Sequence, residues 1–171
     1  GKLLTVEITG DNRKNCTVTV IHEAEILYPK STITIAISPV KNTSRFEWFL
    51  EKATEIGVTE IVPILCERTE KQHFKWERIN GILVSAMLQS QQVWLPVLKE
   101  PVKYIQYLKE RKKDTCLQKF IAHCKDEDNK VQLRIQPLNQ LFNQLILIGP
   151  EGDFTPAEIK SALTHNFIPV A

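Results

Sequence analysis

The string Gly149-Pro150-Glu151-Gly152-Asp153-Phe154 holds the residues whose types and spacing best suit chemistry in this chain. Glycine lets a backbone approach a ligand closely. Glu151 sets a carboxylate between Gly149 and Gly152, which either accepts a proton or fixes the loop. Such a loop can read a polar ligand through bare N–H and C=O groups at a sheet edge. Short glycine motifs are common, so spacing alone leaves a ligand site and an ordinary turn equally open. Arg68 follows the C-terminal end of a predicted strand, where parallel-sheet proteins hold ligands. Arg45 and Lys52 fall on the polar face of a predicted helix, where most charges meet only solvent. Gln89 and Ser90 lie near a helix end, and either cap it or offer hydrogen bonds to a base. His123 closes the strand Phe120-Ile121-Ala122-His123, a position more often structural than catalytic. Lys71, Lys75, Lys112 and Lys113 read as solvated surface charge.

The elements that must position these residues alternate in type. Leu145 to Ile148 is a continuous apolar run, the pattern of a buried strand. Beyond the loop, Thr155 can cap a helix, Pro156 suits its first position and Glu158 completes a capping box. Upstream, Ser31 to Ser38 and Thr59 to Leu65 read as strands. Ser44 to Gly57 reads as a helix with a Ser44–Glu47 capping box, an apolar face of Phe46, Phe49, Leu50, Ala53 and Ile56, and Gly57 as its stop. Further helices are expected from Lys75 to Gln92 and from Pro101 to Arg111, and further strands from Lys119 to Cys124 and Phe167 to Ala171. This alternation predicts an α/β protein, a mainly parallel sheet with helices on both faces. Residues 3–9 and 16–22 flank a polar cluster and predict a β-hairpin, which cannot hold itself together in water without neighbours.

Composition narrows the class. Hydrophobic content of 43% and charged content of 25% are those of a globular chain. No apolar run approaches the roughly 18 residues that span a bilayer. A net charge of +2 permits RNA binding without arguing for it. Cys16, Cys66, Cys116 and Cys124 form no CxxC pair and no zinc-like spacing with the histidines, so they read as small buried hydrophobes in a reducing compartment. A cytoplasmic, metal-free protein with no membrane segment is expected.

The loop string, read through to Thr155 and Glu158, resembles the signature of the RsmE family. These are S-adenosylmethionine-dependent enzymes of the knotted SPOUT class that methylate N3 of a uridine in small-subunit (16S) ribosomal RNA. The usual string has Gly-Gly-Phe where this chain has Gly152-Asp153-Phe154. Asp is among the few residues that tolerate a left-handed backbone there. Ser44-Arg45-Phe46-Glu47-Trp48 with Glu51-Lys52-Ala53-Thr54-Glu55-Ile56-Gly57-Val58 is similar to the family's first helix. Cys66-Glu67-Arg68-Thr69-Glu70 resembles its next loop, and Ser85-Ala86-Met87-Leu88-Gln89-Ser90 its next helix end. Residues 1–28 resemble the end of its N-terminal PUA-like β-barrel.

The resemblance implies a partial PUA-like RNA-binding domain over residues 1–29 and a SPOUT trefoil-knot methyltransferase domain over residues 30–171, with a knot-closing segment expected beyond Ala171. It implies S-adenosylmethionine bound by Ile121, His123, Ile148, Gly149, Pro150, Glu151, Gly152 and Val170, with the helix N-terminus beyond the loop favouring the ligand's carboxylate. Arg45, Arg68 and Glu151 become catalytic candidates. Arg45, Lys52, Arg68, Gln89 and Ser90 become candidate contacts to small-subunit ribosomal RNA, free or in its particle. A homodimer is also implied, its interface drawn from residues 149–171 and covering Phe154, Leu163, Phe167 and Ile168. A Rossmann-type methyltransferase or dehydrogenase fits less well, because no GxGxxG follows Ser38-Pro39. A non-catalytic RNA-binding module stays open, and titration with S-adenosylmethionine separates it from the enzyme.

Overall fold

Apolar, β-branched runs in this chain become short parallel strands, and the 3.6-residue patterns between them become helices. The computed structural model describes residues 1–70, 75–113, 117–125, 130–133 and 143–170; Lys71, Cys116 and Ala171 lie outside them. The elements run β1 (Lys2–Asp11), β2 (Cys16–Glu25), β3 (Ile33–Ile37), α1 (Thr43–Glu55), β4 (Glu60–Leu65), α2 (Trp76–Gln89), β5 (Val97–Leu98), β6 (Val102–Lys103) and α3 (Tyr104–Glu110). A 3-10 turn (Arg111–Lys113), β7 (Leu117–Ala122), β8 (Asn143–Ile148), α4 (Pro156–Thr164) and β9 (Ile168–Val170) follow.

Strands β5, β4, β3, β8, β7 and β9 lie side by side in that order, and β6 also pairs with β4. Every pairing in this sheet is parallel. Side chains alternate between its faces, so each strand feeds two cores. Ile35, Ile37 and Ile61 pack with Phe46, Leu50 and Ala53 of α1 and Ile79 and Leu83 of α2. Ala36, Val62, Ile64, Ile121, Leu145 and Leu147 pack on the other face with α3 and α4. Pro63 lacks a ladder donor, and pairing along β4's outer side breaks there: β5 takes Glu60 and Ile61, and β6 takes Ile64 and Leu65.

Several local expectations are corrected. Asn42, not Ser44, caps α1, its side chain accepting from the N–H of Ser44 at 3.0 Å and of Arg45 at 3.3 Å. Glu47 is thereby released from a cap and instead binds Arg78 of α2, 2.8 Å away at its second oxygen. Ile56 lies beyond the last turn of α1 and is 76% exposed. The segment after Pro101 first pairs with β4 as β6, and its helix starts only at Tyr104. Phe154 and Phe167 do not await a partner, because both are buried in the core beneath α3 and α4. Of the four apolar residues assigned to a dimer surface, Leu163 and Ile168 remain exposed, at 38% and 37%.

Strands β1 and β2 form a separate antiparallel pair with two register shifts. Leu3, Leu4, Val6, Ile8, Val18, Val20 and Ile21 are all exposed on it. Tyr28, beyond the hairpin, meets the ring of Trp94 edge-on with centroids 4.9 Å apart.

Candidate functional site

Parallel strands end at a common edge, and β7, β8 and β9 bring their C-terminal ends together there. A cavity of about 270 Å³ opens at this edge. Ala122, His123 and Cys124 border it from the end of β7, and Val170 from β9. Ile148, Gly149, Pro150, Glu151 and Asp153 border it from the end of β8 and its loop.

The loop's shape follows from a few contacts. The Asp153 N–H donates to Pro150 O at 2.9 Å, which closes the turn, and Asp153 takes φ of +61°. The left-handed residue is therefore Asp153 and not Gly152. Asp offsets its strain locally: one carboxylate oxygen accepts the Phe154 N–H at 2.8 Å, and the other accepts the Cys124 N–H at 2.9 Å. That second bond ties the loop to the end of β7. A Cβ on Gly149 would stand 3.1 Å from the buried Phe154 ring, so glycine is needed there for packing. On Gly152 it would meet Arg68 Cδ at 3.3 Å. Arg68 also donates from its guanidinium to Gly152 O, so a protein side chain occupies the space beside this glycine.

Buried polar groups join the β4 loop to this one. Glu158 closes the capping box of α4 by accepting from the Thr155 N–H at 2.9 Å, while its other oxygen accepts the Glu67 N–H at 2.9 Å. The N-terminus of α4 thus serves Glu158 and the β4 loop. The expectation that it receives a ligand carboxylate is corrected, because none of its residues borders the cavity. Ser38 and Thr69 hydroxyls lie 2.7 Å apart, and Thr69 accepts the Cys66 N–H at 2.8 Å. Burial pushes the Cys66 thiol up to about 12, helped by the nearby Glu158 charge and opposed by hydrogen bonds from Thr69 and Ser38.

The cavity gathers His123, Ile148, Gly149, Pro150, Glu151 and Val170 from the residues named on sequence. Ile121 lies one residue out of phase, its side chain fully buried in the core under α3 and α4. Ala122, Cys124 and Asp153 border the cavity and were not named; the alternation that buries Ile121 would have pointed to Ala122. His123 is 5% exposed, and neither ring nitrogen has a hydrogen-bond partner among the described residues. Glu151 accepts the Lys41 N–H at 2.7 Å, a loop-fixing contact. Arg45 is exposed on the first turn of α1. Lys52 is held between Glu51 at 2.8 Å and Glu55 at 3.0 Å. A separate groove of about 670 Å³ between α1 and α2 takes in Lys52 and Gln89. Ser90 bonds back to Ala86 O at 2.7 Å and finishes α2. Among the described residues, no group of three or more His, Cys, Asp or Glu could hold a metal ion, and no helix is long and apolar enough to cross a membrane.

A family model for the RNA methyltransferase domain matches residues 28–171. Ribosomal RNA small subunit methyltransferase E of Rickettsia conorii is 26% identical over 160 residues, covering 94% of this chain and 64% of the relative. This chain belongs to the RsmE family of RNA methyltransferases. It spans less than two thirds of that Rickettsia relative's length. Among solved structures, one described as a probable rRNA-methyltransferase from Porphyromonas gingivalis is 37% identical, with a TM-score of 0.82 over 99% of this chain and 71% of its own. The Neisseria gonorrhoeae ribosomal RNA small subunit methyltransferase E, bound to S-adenosyl methionine, is 25% identical with a TM-score of 0.84, over 99% of this chain and 70% of its own.

Proposed function

We propose that this RsmE-family chain binds S-adenosylmethionine in the cavity beside His123 and methylates N3 of a uridine in small-subunit ribosomal RNA. The observation that carries this reading is the His123 imidazole, buried on the cavity wall with neither nitrogen partnered among the described residues. A buried polar group without a partner is costly, and a ligand with its own donors and acceptors removes that cost. The family membership and the cofactor-bound Neisseria relative support the same ligand.

The residues present fit such a ligand. Ala122, Ile148 and Val170 offer an apolar wall, and Gly149 exposes backbone beside it. At about 270 Å³ the cavity is slightly smaller than the roughly 300–1,000 Å³ usual for small-molecule sites, and suits one part of the cofactor. The bound cofactor supplies a methyl group on a sulfonium. His123 would orient it by hydrogen bonds, and the apolar wall would keep water away from it. Holding the two reactants in line supplies much of the rate. Uracil N3 lies on the Watson–Crick edge, so the base must be unpaired or flipped to reach the site. Glu151 keeps one carboxylate oxygen beyond its Lys41 contact and is the candidate acceptor for the N3 proton. Arg68 and Arg45 would meet phosphates, while Lys52, Gln89 and Ser90 form a secondary face toward RNA.

The same reading makes residues 1–29 part of a PUA-like RNA-binding domain, residues 30–171 a trefoil-knotted SPOUT domain, and the working enzyme a cytoplasmic homodimer. Calorimetric titration of the full-length protein with S-adenosylmethionine is the first test. Incubation with small ribosomal subunits, followed by mass spectrometry of the modified nucleoside, is the second. Absence of cofactor binding sinks the reading, and methylation at a position other than uridine N3 corrects the substrate. RNA affinity is expected to fall with salt, and neutralising Arg45 and Arg68 together should lower methylation more than cofactor binding.

A further inference from the structure

We infer that Asp153, with Glu151, makes the cavity selective for the positively charged sulfonium cofactor over the uncharged thioether left after methyl transfer. The inference rests on the cavity being the S-adenosylmethionine site. Its two charged lining residues are both acidic, and no Lys or Arg borders it among the described residues. His123, buried on the same wall and unpartnered among the described residues, marks the space as one a ligand completes.

Asp153 is held more firmly than an ordinary surface acid. Its two oxygens accept the N–H groups of Phe154 and Cys124, and its left-handed backbone fixes where the side chain leaves the chain. A carboxylate anchored at both oxygens costs little to organise when a cation arrives. Nothing positive offsets it from α4, because Glu158 already occupies that helix N-terminus. Arg68, on Gly152 O, and Lys41, near Glu151, flank the loop without bordering the cavity, so the wall itself presents net negative charge. Loss of the methyl group removes the ligand's sulfonium charge, and with it the attraction. Product then leaves more readily than substrate.

The test is the ratio of dissociation constants for S-adenosylhomocysteine and S-adenosylmethionine, measured by calorimetry on the full-length protein. In Asp153→Asn the ratio is expected to fall about threefold or more, since charges near a protein surface interact by a few kcal/mol at most before screening. Asn tolerates the left-handed backbone but can replace only one of the two hydrogen bonds. Hydrogen-bond loss alone weakens both ligands equally and leaves the ratio where it was, and that result overturns the inference. Should Asp153→Asn misfold, Asp153→Gly keeps the backbone conformation without strain. In the unmodified protein the ratio should also drop as salt rises from low to physiological strength. A ratio indifferent to salt overturns the inference as well. If neither ligand binds the unmodified protein, the cofactor reading fails and this inference falls with it. If both bind and only the ratio stays fixed, this inference alone fails.

Discussion

Gly149 and Gly152 look alike in the loop string, yet their neighbours differ in how far they can yield. A Cβ at Gly149 would face the Phe154 ring and the Phe154 backbone nitrogen at 3.1 and 3.2 Å, neither free to move. Gly149→Ala is expected to cost about 1–3 kcal/mol in urea unfolding, as overpacked sites do. Gly152→Ala meets only the Arg68 stem and should stay within about 0.5 kcal/mol of the parent. Equal losses at the two positions would show that the loop repacks freely. Cys66 makes a pH prediction. Its thiol, ordinarily near 9, is pushed up to about 12 by burial, so the folded chain holds a proton the unfolded chain releases. That stabilisation is complete below about pH 9 and is lost as pH rises toward 12, at about 1.4 kcal/mol per unit. Urea midpoints between pH 9 and 11 should therefore fall more steeply for the parent than for Cys66→Ala. Parallel slopes would remove Cys66 from the account.

Elements meet through single side chains here, and Glu158 is the clearest case. It caps α4 and also accepts the Glu67 N–H, so one carboxylate joins the α4 start to the loop that carries Arg68. Glu158→Gln turns an amide N–H₂ toward a backbone N–H and should cost about 1–3 kcal/mol. A variant as stable as the parent means the β4 loop is held some other way. At α1 the cap predicts opposite outcomes for near neighbours. Asn42→Ala should cost about 1 kcal/mol, and Ser44→Ala next to nothing, in thermal unfolding at matched pH. The sequence suggested Ser44 because a Ser-x-x-Glu pattern is a real capping signature; what it could not show was that Glu47 had a better partner in Arg78, distant in sequence. The same limit runs through the fold. The hairpin, the long helices and the buried strands follow from local periodicity and are legible. Two-residue strands such as β5 and β6 carry no period to read. Within the site, the run Ile148 to Glu151 is contiguous and visible, but Ala122 to Cys124 join it through the parallel pairing of β7 with β8, with Asp153 accepting the Cys124 N–H across the gap.

The molecule as a whole divides unevenly. Among the described residues the hairpin pairs only with itself, exposes apolar side chains along both strands, and is tethered near Tyr28 and Trp94. Removing residues 1–26 is expected to leave the cooperative unfolding of the parallel sheet intact while reducing RNA affinity much more than cofactor affinity. Loss of the sheet's near-UV signal in that variant would mean the hairpin is part of its core.

The middle of the sheet has a consequence for synthesis. Ile37 of β3 sits beside Ile148 of β8, so the central pairing joins residues emerging far apart in time. At about 5–20 residues per second, on the order of ten seconds pass between the two strands leaving the ribosome. During that interval β3 and β4 have each other but lack the neighbour that covers β3's second edge. The nascent chain must therefore wait with an open β3 edge, a state prone to mispairing with other chains. A slow translation tract before β8 would lengthen this exposed state, and a chaperone that shields strand edges would matter most while the residues between β4 and β8 are still being made.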